Sequence, residues 1–391
     1  MNERTVAFVH TQFPCGGAEK VTLDIGRYLH GRGYRVMALC REHLVEAMSE
    51  DSPVEVRILR HKLKRRASAD ELVKVVREEG IGILVYVCIH PFFTQRIKEQ
   101  TGVKVVSANH AVPFWNGLAE KTRLERQKEG TLWQRLRWHL YYRARCNWLH
   151  VYDRKCDRDY RRALTEVDAY TVLCPEYREE LVKRLRLGEG MQKKIHVIGN
   201  YQDPVDSPQL QKENVVLYMG RLTYTDKRVD RLLDIWARVQ PGRTGWRLLI
   251  VGDGEERHTL EEKARNMGLQ GLSFEGRQTR PQPYYDRAAL LCLTSQFEGW
   301  GLVVTEAQAN GVVPVAFDCS AGIRHLMVPS GTNGVLIPAF DMDEYARQLA
   351  RLMDDESLRL RIQDQVLKKR YPLEEVGQGY FQLYESLLQS R

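Results

Sequence analysis

Thr294-Ser-Gln-Phe-Glu298-Gly299-Trp300-Gly301-Leu302-Val303-Val304-Thr305-Glu306-Ala307 is the stretch on which the reading of this chain turns. It follows Ala289-Leu-Leu-Cys-Leu293, an apolar run of buried-strand length, and leads into a helical pattern. Glycines at a strand-to-helix turn let a ligand approach the backbone closely, and a helix N-terminus offers N–H groups to an anion. Glu298 and Glu306, with seven residues between them, place one carboxylate before the turn and one within the helix. Both can accept hydrogen bonds from hydroxyls, so the stretch suits a sugar joined to a phosphorylated nucleoside. A helix with a polar face would use the same letters.

Upstream, Val215-Val-Leu-Tyr218 reads as a strand, followed by Met219, Gly220-Arg221-Leu222 and a polar loop carrying Lys227. A helix with Val229, Leu232, Leu233, Trp236 and Val239 on its apolar side comes next. Arg221 and Lys227 therefore flank a strand-to-helix loop. A planar guanidinium and a compact ammonium together suit a diphosphate, although two surface charges would look the same. Strands at Arg247–Val251, Leu272–Gly276, Val312–Ala316 and Gly334–Ile337 extend a parallel βα series. Helices follow at Met342–Met353, Ser357–Lys368 and Leu373–Leu388.

The first half repeats the alternation. Thr5–Val9 is a strand, Pro14-Cys15-Gly16-Gly17-Ala18-Glu19 a turn, and Val21, Ile25, Tyr28 and Leu29 one helical stripe. Strands follow at Tyr34–Leu39, Val54–Ile58, Ile83–Ile89, Val103–Ser107, Ala169–Leu173 and Ile195–Ile198. Helices fall near Asp70–Glu79 and Tyr177–Leu187. The Gly16-Gly17 pair could admit a phosphate or simply make a tight turn. No Gly-x-Gly-x-x-Gly fingerprint occurs there, which argues against a dehydrogenase. His110 stands just past a strand's C-terminal end, where open α/β sheets hold their ligands, and His90 is the weaker competitor.

At 391 residues the chain exceeds one ordinary core. The polar stretch Tyr201–Glu213, with two prolines, is the best linker. The expected division is 1–200, a linker at 201–213, a second domain at 214–370, and a terminal helix at 371–391. No apolar run approaches the roughly 18 residues of a spanning helix. The N-terminus reads as lacking a secretory signal. Eight cysteines show no Cys-x-x-Cys pair, and with the missing signal they lead to an expected cytoplasmic setting.

The net charge of +8 points to anionic partners. Basic residues gather at 57–66 and at 121–162, the latter interleaved with Trp133, Leu136, Trp138, Leu140, Tyr141, Tyr142 and Trp148. Such a segment suits an anionic membrane surface. It equally suits a solvated Arg-rich face whose aromatic side packs inward. No nucleic-acid motif accompanies it, so nucleic acid is not the expected partner.

Taken together, Gly220-Arg221-Leu222 with Lys227, and Phe297 to Ala307 with both glutamates, make the chain similar to the retaining glycosyltransferases of family 4. Gly16-Gly17-Ala18-Glu19, Asn109-His110 and Asn200 add to the resemblance, which is strongest over 214–338. Within that family it resembles the bacterial cell-surface polysaccharide and lipopolysaccharide type. Trp300 stands where the family more often has Phe.

The resemblance implies the GT-B fold: two Rossmann-like α/β domains facing across a cleft, with a C-terminal helix crossing back to the N-terminal domain. It implies a UDP-sugar donor, or another nucleoside diphosphate sugar, and a glycan or lipid-linked glycan as acceptor. Arg221 and Lys227 would hold the diphosphate, Glu306 the ribose, and Glu298 the transferred sugar. Backbone N–H groups at Gly301, Leu302 and Val303 would assist, and Gly16 and Gly17 would complete the phosphate site. His110 would contact the sugar near its anomeric carbon, and Arg277 the base.

No Asp-x-Asp stands at an expected strand end, so neither a metal nor another cofactor is expected. The setting would be cytoplasmic and peripheral on the inner membrane face. The competing enzyme readings are a GT-B phosphorylase or a nucleotide-sugar epimerase. From another class comes a non-catalytic basic protein that binds membrane or nucleic acid.

Overall fold

The computed structural model describes residues 4–14, 16–43 and 52–390. Cys15 of the expected turn and Met1–Glu3 of the expected N-terminus lie outside them.

Two compact units form. The first gathers 4–114, 153–201 and 371–390 around seven parallel strands. They are β1 (Thr5–Val9), β3 (Arg35–Cys40), β5 (Val54–Ile58), β6 (Ile83–Val87), β7 (Lys104–Ala108), β8 (Ala169–Val172) and β9 (Ile195–Val197). A small pair, β2 (Gln12–Phe13) with β4 (Glu42–His43), lies outside the main sheet. The order β5-β3-β1-β6-β7-β8-β9 reverses direction between β1 and β6. Central strands covered on both faces must be apolar throughout, and β1 and β6 are buried at every position. The edge strand β5 is half exposed.

The second unit gathers 115–152 and 202–370. Its strands are β10 (Glu213–Met219), β11 (Arg247–Val251), β12 (Leu272–Gly276), β13 (Ala288–Leu293), β14 (Val313–Phe317) and β15 (Val335–Ile337). The order is β12-β11-β10-β13-β14-β15, reversing between β10 and β13. In open parallel sheets the crevice beyond the strand C-termini at such a reversal is where ligands bind. Trp236 fills this core with no exposure, and its indole N–H donates to the Gln270 carbonyl at 2.9 Å.

The terminal helix Leu373–Gln389 groups with the first unit. Tyr28 donates to Glu374 at 2.9 Å and Tyr34 to Glu385 at 2.8 Å, which fasten it there.

Several boundaries differ from expectation. Residues 115–152, expected within the first domain, group with the second unit, because their contacts run to the loops after β10 and β11. Glu213, expected in the linker, already opens β10. The strand expected to reach Ile89 stops at Val87, where Cys88 turns into a left-handed conformation (φ 52°). The helices Thr94–Thr101, Arg257–Asn266, Gln282–Arg287 and Ala321–Met327 were not expected. Each is too short to carry a long periodic stripe.

In the 115–152 segment, Trp138 is buried with Leu124 and Cys146. Leu132, Trp133, Leu136, Leu140, Tyr141 and Trp148 are exposed instead. Inward packing of the aromatic side, one of the two sequence readings, holds for Trp138 and in part for Tyr142, which packs half-buried against that cluster.

Candidate functional site

At the reversal of the second sheet, β10 pairs with β13 through Val216–Leu290 and Leu217–Leu291. The loops leaving these strands therefore rise side by side. The first carries Arg221 and Lys227, and the second carries Glu298. Lys227 Nζ forms an ion pair with Glu298 Oε1, which also accepts from Ser295 Oγ at 3.2 Å. Both side chains are largely buried, 16% and 10% exposed. A buried charge needs such a partner.

Arg221 differs: its side chain is 72% exposed and pairs with Asp226 at 2.9 Å. Asp226 also accepts from the Thr223 hydroxyl, and its carbonyl accepts the Gln296 N–H at 2.6 Å, joining the two loops. Tyr218, buried in β10, donates its hydroxyl to the Arg221 carbonyl at 2.8 Å.

Gly301 adopts the left-handed conformation (φ 77°, ψ 64°) just before the helix Leu302–Ala309. A Cβ there would also come within 2.7 Å of Ile323 Cδ1, so this turn requires glycine. The first intrahelical bond at this end runs from the Val304 N–H to the Gly301 carbonyl at 2.8 Å. The N–H groups of Leu302 and Val303 precede it, as at any helix start. Glu306, half-buried on the same helix, accepts from the Tyr285 hydroxyl at 2.7 Å. Burial first, and the Glu306 carboxylate second, push the Tyr285 phenol far above its usual range, so it stays a neutral donor.

Trp300 is buried with its ring centroid 5.7 Å from that of His325. Arg277 stands apart: it is exposed and follows the edge strand β12, two positions from β10 in the sheet.

In the first unit, His110 follows β7 and His10 follows β1. His110 is half-buried, and its Nδ1 lies 3.0 Å from Asn200 Oδ1. Burial lowers its pKa to about 4 despite the Asn200 bond, so the ring is neutral at ordinary pH. With Nδ1–H donating to Asn200, Nε2 keeps its lone pair. His10 is buried, with Nε2 at 3.1 Å from Thr22 Oγ1 and Nδ1 at 3.7 Å from Glu19. Although burial pushes the Glu19 carboxyl up, the His10 bond and a bond from its own backbone N–H hold it below the usual range.

Gly16 has extended backbone (φ −154°), so its conformation alone does not demand glycine. A side chain there would instead press on the Glu19 carboxylate at 2.9 Å. Gly17 opens the helix Gly17–His30. His90 lies edge-on to Tyr160 at 4.8 Å between ring centroids.

Sequence reading missed His10, Asp226 and Tyr285. His10 shares the strand-end placement that singled out His110, and Asp226 adjoins Lys227. Tyr285 carries no local signal. Reading alone also missed a clasp from 115–152 onto the loop after β10. The Tyr224 ring has the Arg126 guanidinium at 4.5 Å and that of Arg228 at 4.2 Å. Arg126 meanwhile bonds both Glu256 carboxylate oxygens at 2.6 and 2.8 Å.

The family model described as Glycosyltransferase Family 4 matches residues 15–204, and that described as Glycosyl transferases group 1 matches residues 182–369. The amylovoran biosynthesis glycosyltransferase AmsD of Erwinia amylovora is 33% identical over 176 residues, 43% of this chain and 48% of AmsD. The lipopolysaccharide 1,6-galactosyltransferase of Salmonella typhimurium is 34% identical over 159 residues, 39% of this chain and 43% of that protein. The chain thus spans about half the length of the curated relatives it matches. Among solved structures, HepE of Anabaena in complex with UDP-glucose superposes with a TM-score of 0.72 at 17% identity, over 98% of this chain and 99% of HepE. At that identity the likeness is one of fold. Because the two models between them take in both halves of the chain, and its fold matches that of a solved neighbour over 98% of its length, the chain belongs to the family-4 glycosyltransferases of GT-B architecture.

Proposed function

We propose that the chain transfers a hexose-type sugar from a UDP-sugar to a hydroxyl of a glycan or lipid-linked glycan, with retention at the anomeric carbon. The observation that carries this reading is the largely buried Lys227–Glu298 pair at the reversal of the second sheet. Arg221 lies on the same loop as Lys227, and the glycine-led helix bearing Glu306 follows Glu298. The UDP-glucose bound by HepE supports the choice of donor. The amylovoran and lipopolysaccharide roles in the relatives' names support the acceptor class.

In this reading Lys227 and Arg221 take the diphosphate, with the N–H groups of Leu302 and Val303 beside Gly301. Glu306 accepts from the ribose hydroxyls, oriented by Tyr285, and Glu298 accepts from a sugar hydroxyl. Gly16 and Gly17 offer backbone to a phosphate, and Arg277 meets the base. As the C1–O bond to phosphate breaks, charge grows on the leaving diphosphate, and fixed cations stabilise it without reorganising. The acceptor oxygen bonds to C1 on the face the diphosphate leaves, and its proton passes to a departing phosphate oxygen. No metal is assigned a role. The working place proposed is the cytoplasmic face of a membrane that displays the lipid-linked acceptor.

A thermal melt with UDP, GDP and ADP tests the donor site. Ligand at about 100 times its Kd stabilises by about 2.7 kcal/mol, which raises a melting midpoint by roughly 5–10 °C at this unit's size. UDP is expected to give that shift, and silence toward all three nucleotides would remove the reading. UDP release from UDP-glucose only when acceptor is added separates a transferase from an epimerase or phosphorylase.

His110 is proposed to accept a sugar hydroxyl through Nε2. Its folded pKa near 4 lies below the ordinary histidine value, so the accepting form is present from pH 8 down to about pH 5. kcat/KM is therefore expected to show no His110-dependent acid limb in that range. His110→Ala should lower it about 10–100-fold, the worth of one hydrogen bond to a buried group. Asn200→Asp, which places a carboxylate on Nδ1, should move an acid limb up toward neutral pH. An acid limb near pH 7 in the unaltered protein that His110→Ala abolishes would contradict the assignment.

A further inference from the structure

We infer that the helical excursion at 131–149 docks on the surface of a bilayer rich in anionic phospholipid, with Trp133 and its neighbours entering the headgroup layer. The inference deepens the membrane part of the proposed function and rests on it.

Leu132, Trp133, Leu136 and Leu140 fall at spacings that bring them to one face of the helical run Leu132–Asn147. That face is open: Leu132 is 82% exposed, Trp133 79% and Leu140 75%. Trp148 and Leu149, just past the helix end, are 71% and 53% exposed. The opposite face is the one that packs, through Trp138. A soluble surface seldom exposes so many large apolar side chains together.

Charge selects the occupant. Between Gly130 and Tyr152 there is no Asp or Glu, whereas Arg135, Arg137 and Arg143 all lie exposed among the apolar residues. Arg stems bury along apolar surface while their heads stay with phosphate, and Trp sits at the same depth. An anionic bilayer thus satisfies both halves of the face at once. The basic stretch at 57–66 lacks this combination. It is polar apart from Ile58, Leu59 and Leu63, Leu59 is buried, and Arg57 is already paired with Glu78 and Glu79.

The turn just ahead of the excursion is also tied to the loop that carries Lys227, through the Arg126 guanidinium over the Tyr224 ring. Docking through 131–149 therefore brings the second unit itself to the membrane.

Flotation of the full chain with vesicles tests this. Vesicles of phosphatidylethanolamine and phosphatidylglycerol should carry the protein up at low salt, and pure phosphatidylcholine should leave it behind. High salt should weaken the binding. Trp133→Ser with Leu136→Ser should reduce binding at least about tenfold, and Arg135→Glu with Arg143→Glu likewise, with melting midpoint and UDP affinity unchanged. Equal flotation on neutral vesicles, or undiminished flotation of both double variants, would overturn the inference. So would lipid-free dimerisation, or tight binding of a nucleic-acid oligomer, that Trp133→Ser abolishes. Lost flotation with retained UDP binding condemns the docking alone. Retained flotation with no UDP binding condemns the donor site instead.

Discussion

Lys227→Met is expected to lower kcat/KM for the donor by about 10²–10³-fold, and Arg221→Ala to weaken UDP by only about tenfold. The resemblance gives both cations to the diphosphate, and the structure makes them physically unequal. Arg221 is 72% exposed and held by Asp226, so solvent already screens it. Lys227 lies among buried groups, where a fixed charge aimed at a departing phosphate is worth roughly 3–4 kcal/mol.

Methionine keeps the stem of Lys227 but leaves the Glu298 carboxylate buried without its cation. Breaking a buried pair from one side costs about 3–5 kcal/mol. Lys227→Met should therefore also lower the melting midpoint, which Arg221→Ala should not. Adding Glu298→Gln to Lys227→Met removes the stranded charge. The double variant should regain most of its stability and none of its activity. Calorimetry with UDP and a melt of each variant check this, and UDP affinity unchanged in Lys227→Met would end the assignment.

How far this site could be read beforehand follows from where its information lies. Glu298, Gly301 and Glu306 share one short stretch, and Arg221 and Lys227 share one loop, so residue type and spacing exposed them. The Lys227–Glu298 pair was not legible, because it depends on β10 lying beside β13. That neighbourhood is set by sheet order, which no local pattern records. Asp226 and Tyr285 escaped for the same reason: their roles come from groups brought to them by folding.

The alternation of buried strands and amphipathic helices was readable from hydrophobic period, and so was the terminal helix Leu373–Gln389. The attachment of residues 115–152 was not. They lie between β7 and β8 in the chain, and what reveals which unit they join is Arg126, through Tyr224 and Glu256, with Glu129 accepting from the Tyr224 hydroxyl at 3.5 Å. Composition also left open whether the Trp and Leu residues of 131–149 turn inward. Trp138 alone among them found a pocket, and Leu132, Trp133, Leu136 and Leu140 stand exposed.

Gly252→Ala is expected to unsettle the donor unit as strongly as any single methyl group can. Gly252 follows β11 with φ 136°, a region that alanine enters only under strain. A Cβ there would overlap the Gly220 carbonyl oxygen, which belongs to backbone and cannot swing aside as a side chain would. The turns after β10 and β11 are clasped at this point. The Gly220 N–H donates to the Val251 carbonyl at 3.0 Å, the Leu222 N–H to Asp253 at 2.9 Å, and the Gly252 N–H to Gly276 at 2.8 Å. Relieving the overlap must part these bonds.

Strain of about 1–3 kcal/mol joins the loss of one or more buried hydrogen bonds at about 1–3 kcal/mol each. A fall of roughly 5–15 °C in the unit's melting midpoint follows. Because Gly220 leads directly into Arg221 and Lys227, UDP affinity should fall with it. Gly245→Ala, whose Cβ would meet nothing within 4 Å, should leave both unchanged and serves as the reference. A Gly252→Ala protein that melts and binds UDP like the Gly245→Ala protein would show that the two turns move independently, and the loop carrying Lys227 would then need another source of rigidity.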